Sequence, residues 1–356
     1  MGNSERTCKA LITHYQTYPK LEIQDIFKYI YQSAFGCEHF VASVEKATEY
    51  IVKEYAEVCP KGDGAPEALD GDYCRVPLSY INKGLSANTL GKLFAASAKK
   101  EEEGMAALAE KLGLAGELVS KGQLPFAKAD FDKAAAEWER AAYPSVHHSE
   151  AFRKAYRPSY RVVANRYIPF IGLFAELDKR LQEGRVIVAI EGSCGSGKTT
   201  LSSMLSELYD CTVFHMDDFF LRPEQRTPER FAEIGGNIDW ERFLSEVLQP
   251  LSKGEDISFR RFDCSSRTLT EPRSITPKQL VVVEGVYSMR YELAEYYDLA
   301  VFLDISPEEQ RARILRRNSP QMAQRFFTEW IPLENRYFNM AKVKERCDVI
   351  IKSYLK

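Results

Sequence analysis

The segment Gly192-Ser193-Cys194-Gly195-Ser196-Gly197-Lys198-Thr199 constrains this chain more than any other. It satisfies the spacing G-x-x-x-x-G-K-[ST], and its flanks are the ones that spacing requires. A run of β-formers, 186–190, leads into it, and a helical stretch, 200–208, leads out. Glycines let the backbone turn so that successive N–H groups point at an anion, and the helix N-terminus behind them adds partial positive charge. A loop of this kind places Lys198 near the outer phosphates of a nucleotide and the Thr199 hydroxyl near Mg²⁺. The alternative is a glycine-rich turn of no chemical consequence.

The loop sits in a stretch whose texture changes at Arg185. Short β-forming runs at 186–190, 211–215, 280–283, 300–304 and 348–351 alternate with helical stretches, which predicts βαβ units and a parallel sheet covered on both faces. A further antiparallel pair is expected at 257–262 and 273–276. Before this, from Leu21 to about Arg180, apolar residues such as Ile23, Ile26, Phe27, Ile30 and Tyr31 recur at helical spacing. More helices are predicted over 88–100, 105–120 and 130–142, the last with Asp130 as N-cap, and a loop over 60–71. The expected division is 1–168, mainly helical, and 169–356, α/β, with a helix over 170–182 leading into the sheet. A length of 356 residues accommodates both.

Composition narrows the class of partner. A formal charge of -3 is not that of a chain built to coat nucleic acid. No apolar run approaches the ~20 residues that span a bilayer, and the N-terminus lacks the apolar core of a secretion signal. A cytoplasmic chain with neither a membrane nor a nucleic acid as partner is therefore expected, and a homo-oligomer is allowed. The eight cysteines show no Cys-x-x-Cys spacing, so they predict neither a zinc knuckle nor a disulfide scaffold.

A phosphate loop alone implies a nucleotide, not a reaction. Phosphoryl transfer to an alcohol needs a hydroxyl held in line with the γ-phosphate and a carboxylate to take its proton. The second β-run ends at His215-Met216-Asp217-Asp218-Phe219-Phe220, which puts two carboxylates at the edge of the sheet where open α/β folds bind ligands. One of them is the candidate base, and the alternative of a helix cap or a solvated loop residue suits Asp218 more than Asp217. Glu284, after Val281-Val282-Val283, is placed to hold Mg²⁺ directly or through water, or else is a buried paired carboxylate.

Residues 186–352 resemble the uridine kinase and phosphoribulokinase family of P-loop kinases. The phosphate loop, His215 to Phe220, Val283-Glu284-Gly285-Val286 and Cys347-Asp348-Val349-Ile350-Ile351 carry the resemblance. It implies a P-loop NTPase-type parallel sheet sandwiched by helices, here preceded by a mainly α-helical domain. It also implies ATP and Mg²⁺ as cofactors, with ATP along Gly192 to Thr199 and Thr200, and Mg²⁺ at Thr199 and Glu284. Asp217 matches the family's catalytic base, and Asp239 matches the acid that holds sugar hydroxyls. Arginines following the fourth strand, Arg313 and Arg317 foremost because they share a helical face, match a lid over the transferred phosphoryl group. The hairpin that carries a Tyr and a His in uridine kinases reads Arg260-Arg261-Phe262-Asp263-Cys264-Ser265-Ser266-Arg267 here and reproduces neither. Phe262 and Arg267 are the acceptor-contact candidates in it, and its arginines suit an acceptor bearing phosphate or carboxylate.

The expected function is therefore ATP-dependent phosphorylation of a small-molecule hydroxyl on a nucleoside, sugar or related metabolite. Two other readings stay open: an ATP-dependent regulatory switch, and a bifunctional enzyme with a second activity in the helical half. That half concentrates polar and aromatic groups at Cys37-Glu38-His39-Phe40, at 75–82, and from His147-His148-Ser149-Glu150 to Arg161. His39, Arg75, His147 or His148, and Arg157 would suit anion binding or acid–base chemistry, or simply helix capping and packing. A metal site on His39, His147 and His148 lacks the His-x-x-x-His spacing.

Overall fold

In the computed structural model, residues 2–36, 43–62, 64–98 and 101–352 are described, without the side chains of 101–103. Cys37 to Phe40, with His39, lie outside them. Contacts divide the chain into two units, Met1–Asp178 and Lys179–Lys356. Each has its own apolar core.

In the first unit, helix Ile23–Phe35 buries the face that its spacing predicts, with Ile26, Phe27, Ile30 and Tyr31 at most 5% exposed. A reciprocal cap between Glu22 and Asp25 starts it. Gly36 ends it at φ +67, where a Cβ would stand 2.6 Å from the Tyr73 ring, so only glycine fits. Helices Ala87–Ala95, Glu101–Ser120 and Lys128–Arg140 correspond to the other three expected ones. Asp130 is not the N-cap of the last: the helix begins at Lys128 after Ala127, and Asp130 lies in its first turn. There its charge meets the positive end of the helix without capping it.

The unit also holds a sheet that helical periodicity hides. Strands β1 (Glu67–Ala68), β2 (Tyr73–Pro77) and β3 (Tyr160–Ala164) pair antiparallel in that order. The loop expected over 60–71 therefore contains a strand. β2 gives no alternating signal because Tyr73, Cys74, Arg75 and Val76 are all buried, with a charged residue inside the run.

The second unit is built on a five-stranded parallel sheet. Its strands are β4 (Val186–Gly192), β5 (Cys211–His215), β10 (Leu280–Glu284), β11 (Leu299–Asp304) and β12 (Val349–Lys352), in the order β12-β11-β4-β10-β5. Every residue of β4 and β10 is buried, as central strands covered by helices on both faces must be. Between β5 and β10 lie β6 (Ile257–Phe259), β7 (Phe262–Asp263), β8 (Thr268–Leu269) and β9 (Arg273–Ile275). β6 pairs antiparallel with β9 and β7 with β8. This is an α/β P-loop NTPase-like fold. Its order reverses around β4, which opens a crevice at the carboxyl ends of β4, β10 and β5, where such sheets receive ligands. Among the described residues no helix is long and apolar enough to cross a membrane.

Candidate active site

β4 delivers the phosphate loop to that crevice, and the loop's shape follows from its glycines. Gly192 has φ +144, and a Cβ there would approach the Leu303 carbonyl to 2.6 Å. β11 runs that close because Leu303 is paired with Gly192 in the sheet register. Gly197, at φ +100, caps helix Lys198–Leu208, which starts beneath the loop. The Lys198 ammonium donates to the carbonyls of Gly192 at 2.7 Å and Ser193 at 3.1 Å, which holds the cation over the loop.

A cavity of about 940 Å³ opens above. Cys194, Gly195, Gly197, Lys198, Thr199 and Thr200 line it, whereas Gly192, Ser193 and Ser196 of the same loop do not. Asp217 and Glu284 line it from the ends of β5 and β10, and Arg313 and Arg317 from helix Pro307–Arg317. Asp217 is solvent-exposed and stands in the cavity wall. The enclosing walls, with Glu284 and Asp218 nearby, push its carboxyl above the usual range although Lys198 opposes this. The Thr199 hydroxyl donates to Glu284 Oε1 at 3.2 Å, and the same oxygen pairs with His215 Nδ1 at 2.6 Å. That bond, more than any other influence, raises the His215 pKa. Oxygen donors from a hydroxyl and a carboxylate side by side are what Mg²⁺ takes from a protein when phosphates and water supply its remaining ligands. Arg313 is braced by Glu309 at 2.7 Å and donates to the Gly195 carbonyl at 3.1 Å, which ties its helix to the loop.

Three expected acceptor residues stand apart from this wall. Asp239 is 3% exposed and caps helix Trp240–Phe243, its carboxylate accepting from the backbone N–H and the Nε of Arg242, each at 3.3 Å. Phe262 is buried in β7 beneath Arg226, whose guanidinium lies 5.7 Å from its ring centroid. Arg267 is exposed at the β7–β8 turn, with φ +59. Arg226, Phe231, Asn237 and Tyr287, in contrast, are among the residues that line the cavity. Asn237 stands two positions before Asp239, so the segment was legible and the residue was not. Tyr287 has φ +77, a strained backbone for an aromatic residue, of the kind concentrated at functional sites.

Glu334 is a further group that no motif announces. It lies in helix Ile331–Met340, is 5% exposed, and its Oε2 accepts from the Cys194 backbone N–H at 2.9 Å. A carboxylate thus occupies one of the N–H groups of the anion cradle. Burial raises its pKa against the pull of Lys198. Among the described residues no group of three or more His, Cys, Asp or Glu side chains forms a metal cluster.

Residues 187–325 match the phosphoribulokinase / uridine kinase family. The uridine kinase of Chlamydia pneumoniae is 30% identical over 144 residues, 37% of this chain and 62% of that protein. The bifunctional alpha-galactosidase/sucrose kinase of Mediterraneibacter gnavus is 30% identical over 163 residues, 40% of this chain and 17% of that protein. The chain thus spans less than two thirds of the length of these relatives. A possible uridine kinase from Bacillus stearothermophilus aligns in structure with a TM-score of 0.38 and 23% identity, covering 49% of this chain and 99% of that one. The likeness is one of low identity to P-loop kinases, and the family match begins only at residue 187.

Proposed function

We propose, from the kinase-family match of residues 187–325, that the second unit transfers the γ-phosphate of ATP to a hydroxyl of a small molecule such as a nucleoside, a sugar or a related metabolite. One observation carries the reading: a carboxylate with a raised pKa, Asp217, faces the same cavity as the phosphate loop and its lysine. A switch that only binds or hydrolyses nucleotide has no need of that carboxylate beside an aromatic and polar recess.

In this reading the loop N–H groups and Lys198 hold the phosphates, and Asn237, Tyr287 and Arg226 surround the acceptor. Asp217 takes the proton of the acceptor hydroxyl as its oxygen bonds to the γ-phosphorus and the bond to the β-phosphate oxygen breaks. Arg313 and Arg317 offset charge on the phosphoryl oxygens in transit, and their side chains keep water away. Mg²⁺, held through Thr199 and Glu284, would neutralise phosphate charge. Positioning and electrostatics account for the catalysis, because phosphoryl transfer asks little covalent chemistry of the protein.

The test is direct. The full chain is incubated with Mg²⁺–ATP and a panel of nucleosides, sugars, sugar phosphates and polar vitamins, and mass spectrometry looks for a gain of one phosphate. A phosphorylated product made by the wild type and lost in Lys198→Ala supports the reading. ATP hydrolysis without any phosphorylated acceptor would favour the switch.

A further inference from the structure

The first unit buries a network of charged and polar side chains that the phosphate cavity does not use. Arg75 is 1% exposed on β2. Its guanidinium donates to Gln32 Oε1 at 2.8 and 3.0 Å and to Glu67 Oε1 at 3.2 Å, and lies 4.8 Å from the centroid of the Tyr160 ring. Next to it, His148 Nδ1 pairs with Asp25 Oδ1 at 2.9 Å and His148 Nε2 with the Tyr160 hydroxyl at 2.5 Å. Ser149 fixes Asp25 further, through its N–H at 3.0 Å and its hydroxyl at 2.6 Å. Asp25 and Gln32 stand seven residues apart on helix Ile23–Phe35, so two turns of an otherwise apolar face aim polar groups inward.

Such a network is a costly way to stabilise a core, since apolar side chains of similar volume do as well or better. It leaves a demand unmet: His14 is 3% exposed and its Nε2 has no hydrogen-bond partner, while its Nδ1 lies 3.5 Å from Glu67. Buried polar atoms without partners are rare and call for a ligand or water to complete them. The network is not sealed. The Glu67 side chain is a third exposed, and Tyr18 and Tyr160 are half-buried beside it.

We propose that His14, Tyr18, Glu67 and Tyr160, braced by the buried Asp25, Gln32, Arg75 and His148, form a second ligand site, separate from the phosphate cavity, that binds a neutral polyhydroxylated small molecule. The charges decide the class. The Arg75 cation is offset by Glu67, 3.2 Å away, so an anion meets no uncompensated charge on it. Burial pushes His148 down to about 4, despite the Asp25 bond, and the imidazole is neutral at ordinary pH. Asp25 then fixes the proton on Nδ1, Nε2 accepts the Tyr160 hydroxyl proton, and the Tyr160 oxygen, which accepts from Gln32 Nε2 at 3.3 Å, keeps one lone pair for a ligand hydroxyl. The part-exposed planar carboxylate of Glu67 suits neighbouring hydroxyls. Rings such as Tyr18, 5.0 Å centroid to centroid from His14, suit the apolar face of a sugar or cyclitol.

The chain's own histidines report the outcome. In the full chain labelled with ¹⁵N-histidine, His14 and His148 watch this site, and His215 watches the phosphate cavity. Ribose, glucose and myo-inositol are titrated separately at millimolar concentration, with inorganic phosphate as the anionic probe. At least one polyol is expected to shift the His14 and His148 signals saturably. Tyr160→Phe, which keeps the ring, should weaken that binding by about tenfold, the loss for one hydrogen bond, and leave the response of His215 to ATP intact. Glu67→Gln, at the part-exposed rim, gives a second reading if the Phe variant fails to fold. No shift with any of the three polyols, a shift unchanged in the folded variants, or tighter binding of phosphate overturns the proposal. Because His215 is read separately, failure here leaves the kinase reading standing, and failure of the kinase reading leaves this one standing.

Discussion

At the residue scale the kinase reading rests on Asp217, and its raised pKa gives a prediction with a definite sign. A general base must be ionised, so the rate falls as pH drops through its pKa. For an ordinary aspartate that fall lies near 3.9. For Asp217, partly desolvated by the crevice walls and close to Glu284 and Asp218, it is displaced to higher pH. The acidic limb of kcat/KM should therefore stand above the ordinary carboxylate range. In Asp217→Asn, kcat should fall by ~10²-fold or more, the low end for loss of a general base, with ATP binding near normal. Undiminished turnover in that variant, or an acidic limb at the ordinary aspartate value, would sink the assignment. That Lys198, Thr199, Asp217 and Glu284 share one cavity wall could be read from sequence because each sits at a strand end or in a loop whose spacing announces a crevice. Asp239 shows where such reading stops. A matching segment does not reveal that Arg242, three residues on, has taken up the carboxylate.

Elements explain both what was legible and what was not. The five parallel strands read clearly because each is an apolar run bounded by helices, and the register then brings Gly192 against Leu303. Gly192→Ala forces a Cβ to within 2.6 Å of that carbonyl at a φ which L-residues avoid. The variant should lose about 2 kcal/mol or more of stability in urea unfolding, and an unchanged midpoint would show that β4 and β11 part at little cost. The antiparallel sheet of the first unit was illegible because β2 buries Arg75 among apolar neighbours, and partners for that charge come from Gln32 and Glu67, 43 and 8 residues away. Glu334 was hidden for a similar reason: its role arises when helix Ile331–Met340 meets the loop, a contact between distant segments. In the kinase reading it would compete with phosphate for the Cys194 N–H and repel it. Glu334→Gln should therefore tighten ATP binding by roughly 5- to 10-fold, about 1 kcal/mol, as expected when one like charge leaves a partly buried anion site. Calorimetric titration with ATP checks this, and weaker binding would mean that the carboxylate organises the loop instead of competing for it.

For the molecule as a whole, two cores imply two cooperative units. One is centred on Ile26, Ile30, Phe35, Phe131 and Phe152, the other on Phe214, Phe219, Phe243, Val281 and Val283. The kinase reading confines nucleotide to the second. A ligand that binds only one folded unit stabilises that unit alone, by about 2.7 kcal/mol at a hundred times its Kd. For units of this size that amounts to roughly 5–10 °C in Tm. Calorimetry of the full chain should then show two transitions, one raised by Mg²⁺–ATP and one left in place. Arg75→Met should lower only the second of these, because it takes the guanidinium from the buried Gln32 amide and from Glu67 in the first unit. A single transition that ATP and Arg75→Met both move would show that the two cores fold as one unit. It would also mean that nucleotide binding is felt in the first unit, which would give the switch reading the energetic coupling it requires.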